Sequence, residues 1–267
     1  KPKGLITQNS SVILWLLALV LRPFYKFRLF IDAHNEAVIP YIHNKALFRF
    51  IAKYLAKKAD LVIVTNSILA QTITSYGGRP IIFPDLLPIA KHETQQQTLS
   101  DKKHFQITLI STYAPDEPYH NVFEAFRTIP GNVEMFVTGK IPQHLDSSTI
   151  DSRIHLTGYL SDNEYEQLLQ DSDLIIDLTT MKNCLVCGAY EALSIEKPMI
   201  LSKDQVNDEL FPCAVFTEND TPSIAAAIQS AIADIQTIKT RTTHYKVTFG
   251  EKEKKNLSHF IEIIRNA

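Results

Sequence analysis

The stretch from Asp177 to Lys197, DLTTMKNCLVCGAYEALSIEK, decides how the rest of the chain is read. The apolar run Leu174–Leu178 leads into it and Pro198–Ser202 follows it. Both runs are short, aliphatic and bounded by Asp, Pro or Lys, as buried parallel strands are. Between them a polar loop gives way, near Gly188 or Ala189, to a helical segment. Strand, loop, helix and strand over about thirty residues make a parallel crossover unit.

Outward from this unit the same alternation recurs. Further strands are predicted at Gly4–Thr7, Leu29–Ala33, Leu61–Thr65 and Pro80–Phe83. Beyond a polar gap come Gln106–Ser111, Val133–Thr138, Arg153–Thr157 and Ala214–Phe216. Helical periods lie between them, for example Ala46, Leu47, Phe50, Ile51, Tyr54 and Leu55, and at the end Leu257, Phe260, Ile261 and Ile264. The fold class is therefore α/β, with parallel sheets covered by helices. The gap AKHETQQQTLSDKKHF (90–105) lacks apolar periodicity and reads as a linker. It sets off a lobe at 1–90 from a lobe with a C-terminal helix at 106–267, with 91–105 between them.

Bulk composition is that of a soluble globular chain, 45% hydrophobic and 21% charged over 267 residues. The net charge of −2 conceals a split. Residues 1–90 carry 11 Lys/Arg against 4 Asp/Glu, and residues 91–267 carry 16 against 25. A basic surface attracts phosphates and anionic lipid, though two ordinary solvated surfaces would also fit. The apolar run Val12–Leu21 is too short to cross a bilayer, which needs about 20 residues. It reads either as a buried helix of the first lobe or as a helix at a membrane interface beside Arg22, Lys26 and Arg28. No secretory signal is visible, and a cytoplasmic location is expected.

Several chemistries are excluded by their motifs. No G-x-G-x-x-G follows a strand and no G-x-x-x-x-G-K-[ST] is present, in a chain with only eight glycines. Cys184 and Cys187 form a single C-x-x-C without a second ligand pair, so no metal site is expected. Nothing points to nucleic acid.

In open α/β sheets ligands bind beyond the carboxyl ends of strands. There the sequence places Asp32-Ala33-His34-Asn35-Glu36 in the first lobe. In the second it places Ser111–Glu117, Thr138-Gly139-Lys140, Thr157-Gly158-Tyr159 and the 177–188 loop. A helix N-terminus presents backbone N–H groups that can hold a diphosphate. Glu191, one turn in, suits either a ribose diol or a favourable interaction with the helix dipole. His34 with the carboxylates Asp32, Glu36 and Asp116 supplies candidates for proton transfer.

These segments resemble the GT-B glycosyltransferases that use nucleotide-diphosphate sugars: IDAHN (31–35), ADLVIVTN (59–66), STYAPDEPY (111–119), MFVTGK (135–140), HLTGY (155–159) and CLVCGAYEAL (184–193). They are most similar to the group containing chitobiosyldiphosphodolichol β-mannosyltransferase and to related bacterial exopolysaccharide glycosyltransferases. The resemblance implies two Rossmann-like lobes, the N-terminal one truncated by about three strand-helix units. It implies a donor site made of Thr112, Glu117, Gly139, Lys140, Tyr159, Thr179, Asn183, Cys184, Leu185, Val186, Cys187, Gly188 and Glu191. It further implies hexose transfer to a lipid-linked or polysaccharide acceptor at the inner face of a membrane, with peripheral membrane contact. No cofactor or metal is required, the nucleotide-sugar being a substrate. Broad retaining relatives carry Glu where this chain has Asn183, and Arg and Lys where it has Thr112 and Glu117, so the resemblance leans to inversion. A non-catalytic nucleotide-sugar-binding subunit completed by a partner chain is the alternative.

Overall fold

All ten expected strands form in the computed structural model, which describes residues 3–8, 12–38, 46–89 and 104–266. The chain divides into two compact units, Lys1–Leu86 with Glu251–Ala267, and Leu87–Gly250.

The first unit holds strands β1 (Gly4–Gln8), β2 (Arg28–Asp32), β3 (Leu61–Val64) and β4 (Pro80–Ile82), all parallel and in sequence order. Helices α1 (Val12–Tyr25), α2 (Asn35–Val38), α3 (Ala46–Lys58) and α4 (Ser67–Ser75) connect them. Trp15, Leu29, Ile31, Leu55, Val62 and Leu69 are among the residues that close its core. Asn66 caps α4 by accepting the Leu69 N–H at 2.9 Å. Helix α1 departs from the buried-helix reading of Val12–Leu21: only Trp15 and Ala18 of its described side chains are buried.

The second unit holds β5 (Phe105–Leu109), β6 (Val133–Thr138), β7 (Ile154–Gly158), β8 (Leu174–Asp177), β9 (Met199–Ser202) and β10 (Val215–Thr217). Its helices are α5 (Tyr119–Phe126), α6 (Asp162–Asp171), α7 (Cys187–Ser194), α8 (Gln205–Leu210), α9 (Thr221–Ala233) and the first part of α10 (Ile235–Asn266). The sheet runs β10-β9-β8-β5-β6-β7, parallel throughout. The chain builds outward from β5 through β6 to β7, then crosses over to β8 and builds the other way. That reversal is a topological switch point, and it opens a crevice beyond the carboxyl ends of β5 and β8.

The boundary falls at Leu86/Leu87, and most of the 90–105 gap lies outside the described residues. The C-terminal helix, expected to finish the second lobe, is shared. Thirty-two residues extend roughly 48 Å, and from Glu251 onward α10 belongs to the first unit. Phe260 stacks on Phe83 there, ring centroids 4.5 Å apart.

Candidate functional site

The crevice of the second unit is built by loops that hold one another. Asp116 accepts the Thr180 N–H at 2.7 Å through its backbone carbonyl, and its carboxylate accepts the Thr179 hydroxyl at 2.7 Å. The Thr179 N–H donates to Ser202 Oγ at 3.0 Å, Ser202 Oγ donates to Asn219 Oδ1, and Asn219 Nδ2 returns to the Thr179 carbonyl at 2.9 Å. The loops after β5, β8 and β10 are thereby bolted together through Ser202 at the end of β9. Gly139 (φ +100°) brings the loop after β6 against that after β5, since a Cβ there would lie 2.2 Å from the Ser111 carbonyl oxygen.

Glu117 turns its carboxylate back onto its own loop. Its carboxylate accepts the Ser111 hydroxyl at 2.6 Å, the Thr112 N–H and hydroxyl at 2.8 Å each, and the Ala114 N–H at 3.3 Å. Thr112 and Glu117, expected to contact the donor, are thus engaged with each other inside the β5 loop. An anion here saturates amides that a phosphate would otherwise use. The residue after Thr112 in that loop, Tyr113, has φ +60° and a buried hydroxyl without a hydrogen-bond partner among the described residues. Burial, with Tyr119 and Glu117 nearby, pushes its pKa up to about 12.

At the end of β8 stands Asp177, a buried carboxylate absent from the residues singled out by sequence. Its Oδ2 accepts the Gly188 N–H at 2.9 Å, in the first turn of α7. Burial drives its pKa to about 7; the Gly188 bond opposes this, and Glu117, Glu191 and Asp116 reinforce it. Gly188 is needed because a Cβ would lie 2.4 Å from Asp177 Oδ2 and 2.5 Å from Ile110 Cδ1. The Gly188 N–H is therefore committed to Asp177. The rest of the α7 entrance has no side-chain cap at Val186, an arrangement suited to an anion.

Glu191 is half-buried and oriented. Its Oε2 accepts the Tyr165 hydroxyl at 2.6 Å, while burial and that carboxylate raise the Tyr165 pKa. Tyr165 is in turn fixed by the α6 capping box, in which Ser161 and Glu164 bond reciprocally. Tyr159, 85% exposed, follows the left-handed turn at Gly158 (φ +70°). Lys140 is exposed beyond Gly139. Asn183 adopts φ +57°, and its N–H is held by Asp204 at 3.1 Å.

Around Cys184 and Cys187, as elsewhere among the described residues, no group of three His, Cys, Asp or Glu side chains is placed to hold an ion. Burial pushes the Cys184 thiol up to about 11, which keeps it protonated and poorly nucleophilic. Leu185 and Val186 pack against the core around Tyr190 and Phe211.

In the first unit the structure brings Asp32 and His34 together at the end of β2, Nε2 to Oδ1 3.7 Å, both partly exposed. Burial raises the Asp32 pKa, opposed by His34 and assisted by Asp85. The His34 carbonyl accepts the Ala37 and Val38 N–H groups and starts α2. The Glu36 side chain lies outside the described residues.

Two parallel α/β units, one carrying a switch-point crevice with an open helix N-terminus, define the GT-B fold of glycosyltransferases. Solved structures share it. HepE from Anabaena, in complex with UDP and glucose, is similar at TM-score 0.79 and 16% identity, over 98% of this chain and 78% of that one. Sucrose-phosphate synthase from Thermosynechococcus elongatus is similar at TM-score 0.76 and 13% identity, covering 98% and 73%. A UDP-forming α,α-trehalose-phosphate synthase from Burkholderia xenovorans matches at TM-score 0.74 and 12% identity, covering 98% and 73%. No protein-family model and no curated protein matches the sequence.

Proposed function

We propose that the chain is a glycosyltransferase that moves a hexose from a nucleotide-diphosphate sugar to a lipid-linked or polysaccharide acceptor, at the cytoplasmic face of a membrane. The observation that carries this reading is the crevice end of α7. A helix entrance whose N-cap residue, Val186, makes no side-chain bond stands at the switch point, and one turn later comes a carboxylate held in place by Tyr165. Glu191 Oε1 is the oxygen left for a ribose diol, and exposed Tyr159 offers a ring for the base. The diphosphate takes the amides of the 184–187 segment, with Lys140 and Thr179 at its edge. Uridine is the favoured base, because HepE was solved with UDP.

The acceptor hydroxyl attacks the anomeric carbon and forms the new glycosidic bond as the bond to the diphosphate breaks. Its proton passes to a base, for which Asp116 is the candidate within the crevice's own unit, and the electron pair leaves with the nucleotide diphosphate. The positive end of the α7 dipole stabilises that departing charge without a metal. Inversion is the expected stereochemistry, since no carboxylate stands at position 183.

Thermal-shift titration with nucleoside diphosphates and their sugars tests the reading, because ligands of the native state raise its melting point. Stabilisation by a uridine diphosphate species is expected, and Glu191→Ala should weaken it by about 1.5–3 kcal/mol, the range for hydrogen bonds to a charged group. A flat response to every nucleotide would end the proposal. Donor binding without sugar transfer or hydrolysis would favour the non-catalytic subunit instead.

A further inference from the structure

Asp116, Glu117, Asp177 and Glu191 meet where β8 and α7 face the loop after β5, and none of the four forms an ion pair with a described residue. A site for an anion gains from cations, yet this one gathers acids. Three of them are answered locally. Glu117 accepts bonds from its own loop, Asp116 the Thr179 hydroxyl, and Glu191 the Tyr165 hydroxyl. Of the four only Asp177 is buried, at 9% exposed. Among the described residues its carboxylate accepts a single bond, the Gly188 N–H at 2.9 Å. A buried carboxylate that stays ionised ordinarily accepts about two or three.

The groups that face Asp177 are apolar, neutral or negative. Strand β9 sets Leu201 opposite it, α7 supplies Glu191, and the β5 loop supplies Asp116 and Glu117. The Tyr165 hydroxyl of α6 and the Cys184 thiol, both held protonated by burial, stand close enough to feel its charge. Burial, reinforced by the three carboxylates, keeps the proton on Asp177 up to about pH 7. Gly188 is the second residue of α7, so the carboxyl sits beneath the same positive helix end whose outer amides would hold the diphosphate. Like charges sharing one such end exclude each other unless one takes up a proton. An ionised Asp177 therefore opposes the donor. A neutral one does not, and it still accepts the Gly188 N–H through its carbonyl oxygen.

We infer that a nucleotide-diphosphate sugar enters this crevice together with one proton, which Asp177 takes up from solvent, so that the neutral acid is the form that admits the donor. The inference rests on the donor site proposed above. Asp177 acts through the Gly188 N–H rather than on the substrate, as a positioning residue. The one bond formed is the O–H bond of its carboxyl, and buffer supplies the proton.

Titration calorimetry of the full chain with UDP-glucose and with GDP-mannose tests this. In both the diphosphate is esterified at each end, so its charge stays constant between about pH 6 and pH 8. Affinity should be level below about pH 6 and fall about tenfold between pH 6 and pH 8. The binding enthalpy at pH 8, compared in buffers of different ionisation heat, should report uptake of roughly one proton, and at pH 5.5 nearly none. Asp177→Asn is neutral at every pH and keeps an oxygen for Gly188. It should bind about tenfold more tightly than the parent at pH 8, with no pH dependence and no proton taken up. A purely structural role would instead weaken binding in this variant at every pH. The parent's proton uptake needs no variant, so it decides the matter even if the Asn protein folds poorly. Binding that is flat in pH, without proton uptake, would overturn the inference and leave the donor reading standing. Persistence of the parent's pH dependence in Asp177→Asn would assign the proton to another group and overturn it as well. Failure of both sugar nucleotides to bind at pH 6 would remove the donor site and the inference together.

Discussion

Ala59–Val64 and Ser172–Asp177 are two versions of one strand, one in each unit. ADLVIV and SDLIID share their first Asp-Leu and their aliphatic middle. They also share a device. Asp60 and Leu29 exchange bonds, N–H to carbonyl at 2.8 Å and N–H to carboxylate at 2.7 Å. Asp173 and Gln106 do the same at 2.8 Å each. In both units an Asp just before the strand fixes it against its neighbour's start. The strands part only at the sixth residue, where Val64 is core and Asp177 is a buried acid. A shared frame therefore becomes a site in one unit by exchanging a single apolar side chain for a carboxylate at the crevice. The opposing helix must then bring a glycine to meet it.

The most damaging way to break that comparison is Gly188→Ala. Alanine is ordinarily the better helix former, but here its methyl collides with Asp177 and Ile110. Overpacking together with loss of a charge-assisted bond should cost about 3 kcal/mol or more, measured by denaturant unfolding. A neutral or stabilising result would mean that Asp177 does not depend on Gly188.

Asp177→Asn sharpens the comparison through pH. Folding holds the Asp177 proton to about pH 7 against an ordinary value near 4. Its contribution to stability is therefore complete below about pH 4 and is lost as pH rises through 7. The variant lacks this dependence, so its stability relative to the parent should climb by about 2–3 kcal/mol between pH 5 and pH 8. Parallel pH profiles would show that the carboxyl is ionised throughout.

The smallest effect belongs to what the two strands share. Asp60→Ala and Asp173→Ala should each cost about 1–2 kcal/mol by the loss of a bond to a charged group. A null result at either position would make the shared device a likeness of geometry alone.

Strand positions were legible because each is a short aliphatic run ended by a polar or special residue, and the split of four and six followed from the gap at 90–105. The partial exposure of α1 was not legible: a helix that is apolar on every side gives no periodicity to separate an inside from an outside. Asp177 left one trace, an acid closing the run LIID. It passed as the strand's terminator because nothing local says that it points inward. Tyr165 and the Ser202–Asn219–Thr179 bonds left none, since they join residues far apart in sequence. Glu117 was legible as a departure from the resembling enzymes, but its turning back onto Ser111 and Thr112 is a matter of loop conformation.

The stack of Phe83 on Phe260 bears on the order of folding. The first unit leaves the ribosome before the second, yet its closing helix segment follows all of the second unit in the chain. During synthesis the β1–β4 sheet must wait with Phe83 uncovered while the six-stranded unit emerges and folds by itself. The four-stranded unit is thus completed after the six-stranded one. Removing the residues from Glu251 onward would unsettle the chain's beginning rather than its end.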